Sequence, residues 1–172
     1  MTPLVSAAEL LHGALAANSR DLLAYLGRRV DSLDDAADLL GETMLIAWRR
    51  VGKLPADDAR ARMWLFVIAR NTLLNYSRGR RQQLAVASAL KRELLVAVEP
   101  DTDVLALDVR RAIATLPDEL SELVRLVHWD GFPLTDAAKL MGIPEATARG
   151  RYARARVTLS ELLPAYDRAP RS

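Results

Sequence analysis

The chain has 172 residues, 51% of them apolar and only 5% aromatic, with a formal net charge of +2 and no cysteine. This length suits one ordinary domain or two small ones, and the wealth of Ala, Leu and Arg favours helix over strand. Disulfides and thiolate metal sites are excluded, and nothing resembles a secretion signal or a stretch of ~20 apolar residues able to span a bilayer, so a soluble cytoplasmic protein is expected. Charge is unevenly placed: Asp31, Asp34, Asp35, Asp38 and Glu42 cluster, whereas Arg78, Arg80 and Arg81 form a basic run. That distribution suits separate surfaces for separate partners.

In chain order, apolar residues at helical spacing (Leu10, Leu11, Leu15, Leu22, Leu23, Leu26) predict a helix from Leu4 to about Val30. A second helix is predicted from Leu33 to Val51, entered through Asp-rich sequence that suits a helix N-terminus. The stretch GKLPADDARA reads as a loop or broken turn, and a third helix follows from Arg62 to Arg80. Residues 82–103 could hold a helix, but Pro100 and its acidic neighbours mark a break, so the segment reads as a linker with possible helical content. Four helices complete the chain: Val104–Leu116, Asp118–Trp129, Thr135–Met141 and Glu145–Leu163. The expected fold is all-α, with two small helical domains, 1–81 and 104–166, joined by the linker 82–103. His12 and His128 are isolated, and no nucleophile–base pair, metal cluster or phosphate-cradling loop is apparent. No cofactor, metal or catalysis is expected.

The segment LTDAAKLMGIPEATARGRYARARVTL has the form of a helix-turn-helix. Thr135 is a candidate N-cap, Leu134, Ala138 and Met141 can face inward, Gly142 turns the chain, and Pro144 suits the next helix's first turn. At 100° per residue, Ala148, Tyr152, Ala155, Leu159 and Leu162 form a buried stripe on the last helix. Ala146, Gly150, Ala153 and Val157 lie opposite, flanked by Arg149 and Arg156 on one side and by Arg151 and Arg154 on the other. A solvated face would usually carry its charge at the centre. A centre stripped of bulk with cations at its borders suits close approach to DNA, with arginines reaching phosphates or guanine edges. On the third helix, Trp64, Asn71, Asn75 and Arg78 project to one side, whereas Leu65, Ala69, Thr72 and Tyr76 project to another. Two amides and a cation form a poor core but can bond base edges and phosphate of single-stranded DNA.

These segments together resemble bacterial sigma factors of the extracytoplasmic-function (ECF) type. The carriers are IATLPDELSELVRLVHWDGFPLTDAAKLMGIPEATARGRYARARVTLSELL, DAADLLGETMLIAWRR and ARMWLFVIARNTLLNYSRGRR, in the family's order and spacing. The resemblance implies a specificity subunit of RNA polymerase and no enzymatic activity of its own. The N-terminal domain would bind the coiled coil of the polymerase largest subunit through Asp38 and Glu42, with Asp35 and Arg49 beside them. It would engage the −10 element through Asn71, Asn75 and Arg78, with Arg60 and Arg62 in the loop that holds a flipped base. The C-terminal domain would touch the polymerase flap and read the −35 element through Thr147, Arg149, Gly150, Arg151, Ala153, Arg154 and Arg156. An anti-sigma factor is a further implied partner. The chain departs from the family at Gly41, where Gln is usual, and at Gly150 and Ala153, where Ser and a bulky residue are common. Paired Asp57 and Asp58 also sit awkwardly beside a phosphate backbone. A sigma-like DNA-binding regulator without polymerase function, or a helical interaction protein, therefore stands as an alternative.

Overall fold

The computed structural model describes residues 6–87 and 104–163, with side chains described for 6–80 and 108–163. Among these, seven α-helices and one 3-10 turn account for the regular structure. The proposed helix start at Leu4, the linker from residue 88 onward and the domain end at 166 lie outside the described residues. By its contacts the chain divides into two units, Met1–Leu94 and Leu95–Ser172. No helix among the described residues is long and apolar enough to cross a membrane.

The first unit holds α1 (Ala7–Gly27), α2 (Leu33–Arg49), a 3-10 turn (Val51–Lys53) and α3 (Asp58–Ala87). Side-chain caps set where each helix begins. Ser6 Oγ accepts the Glu9 N–H at 3.2 Å, while Glu9 Oε2 accepts the Ser6 N–H at 2.7 Å, a reciprocal box that satisfies two otherwise orphaned donors. Ser32 Oγ caps α2 through the Asp35 N–H at 3.0 Å. Asp57 Oδ1 accepts the Arg60 N–H at 2.9 Å, so α3 begins at Asp58 rather than at Arg62. The paired aspartates read as loop residues are a cap and a first-turn acid, both favoured by the unpaired N–H groups and dipole of a helix start. At its other end α3 runs on to Ala87, so the helical content allowed for the linker 82–103 is its first six residues, which continue α3.

The three helices pack in a bundle around Leu11, Leu22, Tyr25 and Leu26 from α1, Ala36, Leu39 and Ala47 from α2, and Leu65, Phe66 and Ala69 from α3. Tyr25 and Phe66 meet edge to face with centroids 5.3 Å apart. Thr43 and Thr72, fully enclosed, return their hydroxyls to the Leu39 and Ile68 carbonyls at 2.7 and 3.0 Å, leaving no donor unsatisfied. Gly41 lies in the middle of α2 on its exposed side, and a Cβ there would meet nothing within 4 Å. Gly41→Ala should therefore stabilise the unit by about 0.5–1 kcal/mol through backbone entropy, read as a higher urea midpoint with unchanged slope.

The second unit comprises α4 (Val104–Thr115), α5 (Asp118–His128), α6 (Leu134–Met141) and α7 (Glu145–Leu162). Ile113, Leu116, Leu120, Val124 and Ala155 form its core, with Val109, Trp129 and Leu159 packed at the margin. Gly142 has φ +67°, and the Ile143 N–H reaches back to the Ala138 carbonyl at 3.0 Å, so the turn after α6 uses the left-handed conformation that glycine tolerates. Thr135 does not cap α6: Pro133 holds that position, and its carbonyl accepts from Asp136 and Ala137, both at 2.9 Å. Pro144 likewise precedes α7 instead of sitting in its first turn, and its carbonyl accepts from Ala148 at 3.0 Å. In both places the proline ring presets φ and the extended ψ feeds the chain into the helix. Ala138 is buried as expected, Leu134 and Met141 only half so, and Ala137 and Leu140 carry more of the α6 contact than sequence spacing suggested.

Candidate nucleic-acid and partner interfaces

The face of α7 divides as its periodicity predicts. Ala148 and Ala155 are fully enclosed, Tyr152 and Leu159 half-buried, and Ala146, Thr147, Gly150, Ala153 and Val157 exposed. Leu162, expected in the buried stripe, is instead 49% exposed, since the last turn of α7 lies beyond the core. A Cβ on Gly150 would meet nothing within 4 Å, so the central strip is open to a partner. Arg149, Arg154 and Arg156 are exposed, and Arg149 leans on Glu145 of the same helix at 3.7 Å. Arg151 differs. Its Nη2 lies 2.7 Å from Glu119 Oε2 on α5 and its side chain is 25% exposed, so it ties α7 to its platform.

Beside Arg156, the His128 and Tyr152 rings stack and join through Nε2 and Oη at 2.7 Å. They border a groove of about 410 Å³ between α4, α5 and α7, floored by Val109, Ile113, Val124 and Leu159.

On α2, Asp38, Glu42 and Arg49 are exposed, while Leu39, Thr43 and Ala47 are buried and Ile46 half-buried. The same exposed side carries Leu45 and Trp48, 49% and 56% accessible. Helical projection could have found both, because they fall with Asp38 and Glu42 rather than with Leu39 and Thr43. Asp35 has a different setting. The Ser32 hydroxyl, and then the Tyr76 hydroxyl, hydrogen-bond its carboxyl and hold it below the ordinary aspartate value, with Arg80 adding a smaller effect.

On α3, Asn71, Asn75 and Arg78 are exposed together with Val67 and Leu74, whereas Leu65, Ala69 and Thr72 are buried and Trp64 and Tyr76 half-buried. Arg60 and Arg62 do not lie in a loop; both belong to the opening turns of α3. Arg60 is exposed there. Arg62 donates from Nη1 to Asn18 Oδ1 at 2.9 Å and to Asp21 Oδ2 at 2.7 Å, and its guanidinium sits 4.7 Å from the Phe66 ring centroid. It braces α1 against α3. Among the described residues no group of three or more His, Asp or Glu could hold a metal ion.

Residues 15–83 match the sigma-70 region 2 family and residues 106–159 match sigma-70 region 4. The ECF RNA polymerase sigma factor SigM of Mycobacterium tuberculosis is 35% identical over 130 residues, which span 76% of this chain and 65% of SigM. The ECF sigma factor SigL of the same organism is 32% identical over 149 residues, covering 82% of this chain and 84% of SigL. The sigma factor RpoE of Bartonella quintana, solved in complex with the anti-sigma factor NepR, superposes with a TM-score of 0.71 at 27% identity, over 89% of this chain and 96% of RpoE. With an exposed amide-and-arginine face in one unit and a helix-turn-helix in the other, both falling within these matches, the chain belongs to the ECF family of RNA polymerase sigma factors.

Proposed function

We propose that this protein is an alternative transcription initiation factor that binds RNA polymerase core and directs it to promoters with particular −10 and −35 elements. The observation that carries this reading is the presence, in one chain matching regions 2 and 4, of three exposed faces of fitting chemistry on α2, α3 and α7. On α2, Asp38 and Glu42 supply charge and Leu45 and Trp48 apolar area for the basic coiled coil of the polymerase largest subunit, with Arg49 at the edge. On α3, Asn71, Asn75 and Arg78 meet the unstacked −10 strand, and Arg60 reaches phosphate at its entry. On α7, Arg149, Arg154 and Arg156 flank a strip from Thr147 through Gly150 and Ala153 that lies against the −35 duplex. The groove beside His128 and Tyr152 receives the polymerase flap. An anti-sigma factor restrains the protein, as NepR is bound to RpoE. The protein works in the cytoplasm, with no catalytic step of its own. The rival reading, a DNA-binding regulator without polymerase function, loses one of its supports because Asp57 and Asp58 serve the start of α3.

The test combines purified protein with core polymerase. A stable complex and discrete start sites downstream of shared −10 and −35 sequences are expected. Asp38→Lys with Glu42→Lys should weaken the complex at least tenfold while leaving the fold intact, since both side chains are exposed. Failure of the unmodified protein to bind core, with no inhibitor present, overturns the proposal.

A further inference from the structure

The apolar anchorage of α3 ends earlier than its functional face. Leu73 is its last buried residue before Arg80, and from Leu74 to Arg80 every residue is exposed or half-buried. Asn75 and Arg78 lie in this stretch. What secures it is polar and comes from the start of α2. Arg80 donates from Nη1 to Tyr76 Oη at 2.8 Å, one helical turn back, and its Nη2 lies 2.8 Å from Asp31 Oδ2. Nη1 is also 3.8 Å from Asp35 Oδ2. The backbone of Asp35 is in turn fixed by the Ser32 cap at 3.0 Å. The planar guanidinium fork thus joins one residue of α3 to two carboxylates across the interface, a geometry that sets direction as well as charge. A single exposed ion pair contributes little to stability, but a network that fixes orientation acts on function through angle.

We infer, on the basis of the proposed function, that Asp31, Asp35, Tyr76 and Arg80 form a positioning clasp, which aims Asn75 and Arg78 at the melted strand and itself touches neither polymerase nor promoter. This gives Asp35 a role inside the chain in place of the polymerase contact that family resemblance implies. The depressed carboxyl of Asp35 agrees, since its hydrogen-bond partners, Ser32 and Tyr76, belong to the chain itself. The clasp also links two functional faces, because the helix that docks on polymerase holds the helix that captures DNA.

The experiment uses the full chain and three separate substitutions, Asp35→Asn, Tyr76→Phe and Arg80→Gln. Tyr76→Phe keeps the half-buried ring and removes only the hydroxyl, so it guards against a folding artefact. Core affinity is measured by fluorescence anisotropy. Promoter opening at saturating core is followed with 2-aminopurine in the −10 element. Hydrogen exchange reports the amides of residues 75–80. Core affinity should stay within twofold of the unmodified protein, opening should slow about 5–20-fold, and those amides should exchange faster in all three variants. If Asp35→Asn instead weakens core binding tenfold or more while opening at saturation is unchanged, Asp35 is a polymerase contact and the clasp reading falls. Unchanged opening and unchanged exchange in all three would also overturn it. If the unmodified protein binds no core, the proposed function fails, and the exchange of residues 75–80 still decides whether the clasp exists.

Discussion

Replacing Arg149 and Arg154 together by glutamate should lower transcription from −35-dependent promoters about 100-fold or more, while the melting curve of the protein stays where it was. Each arginine contact to a base edge or phosphate is worth about 1–3 kcal/mol, and 1.4 kcal/mol is tenfold in an equilibrium constant. Two lost contacts at about 1.4 kcal/mol each already give about 100-fold, and the repulsion between glutamate and phosphate adds to it. Stability is spared because both side chains are exposed, and Arg149 makes only a long approach of 3.7 Å to Glu145 on the same helix among the described residues. Run-off transcription on a promoter with and without its −35 element checks the claim. The variant should lose activity on the first template and little on the second. Equal losses on both would mean that the α7 face does not read the −35 element. Arg151 is kept out of this experiment because its 2.7 Å pair with Glu119 would mix a change in α7 seating with a change in recognition.

Phe66→Ala should destabilise the first unit by about 3–5 kcal/mol, a large share of the 5–15 kcal/mol that holds a typical domain together. The ring is 1% exposed, meets Tyr25 edge to face at 5.3 Å and carries the Arg62 guanidinium 4.7 Å from its centroid. Removing it leaves a cavity where α1 and α3 cross, and it also strips the surface on which Arg62 rests. Urea unfolding followed by circular dichroism gives the number. A loss under 1 kcal/mol would mean that the crossing can collapse onto Tyr25 and that the core is held elsewhere. Phe66→Leu, which refills part of the space, should recover much of the loss.

What could be read from residues alone follows the range of the interaction. The α7 stripe was legible because Ala148 and Ala155 recur at helical spacing and sit where that spacing puts them, and the α3 division into Asn71, Asn75 and Arg78 against Leu65, Ala69 and Thr72 was legible for the same reason. The turn at Gly142 was legible because few other residues tolerate its φ of +67°. Helix starts were less so. Asp57 and Asp58 are as common in loops as in caps, and only their N–H partners tell which. Ser6 with Glu9 was a readable capping pattern that apolar spacing alone passed over. The pairings of Arg62 with Asn18, 44 residues away, and of Arg151 with Glu119 join residues with no sequence relation, so their arginines looked as free for DNA as their neighbours. The clasp on Arg80 is of the same long-range kind.

The helix-turn-helix is seated on methyl groups. Ala137 and Ala138 of α6 and Ala148 and Ala155 of α7 are all at 0% exposure, and Ala155 packs among Ile113, Leu116, Leu120 and Val124. A fully enclosed alanine leaves little room for an added methylene, so enlargement at Ala148 or Ala155 pushes α7 away from the helices beneath it. A protein of this design can therefore acquire a new promoter preference from a mutation that never touches DNA. A shift of about 1 Å in the seat is enough to carry every arginine on the reading face off its mark at once.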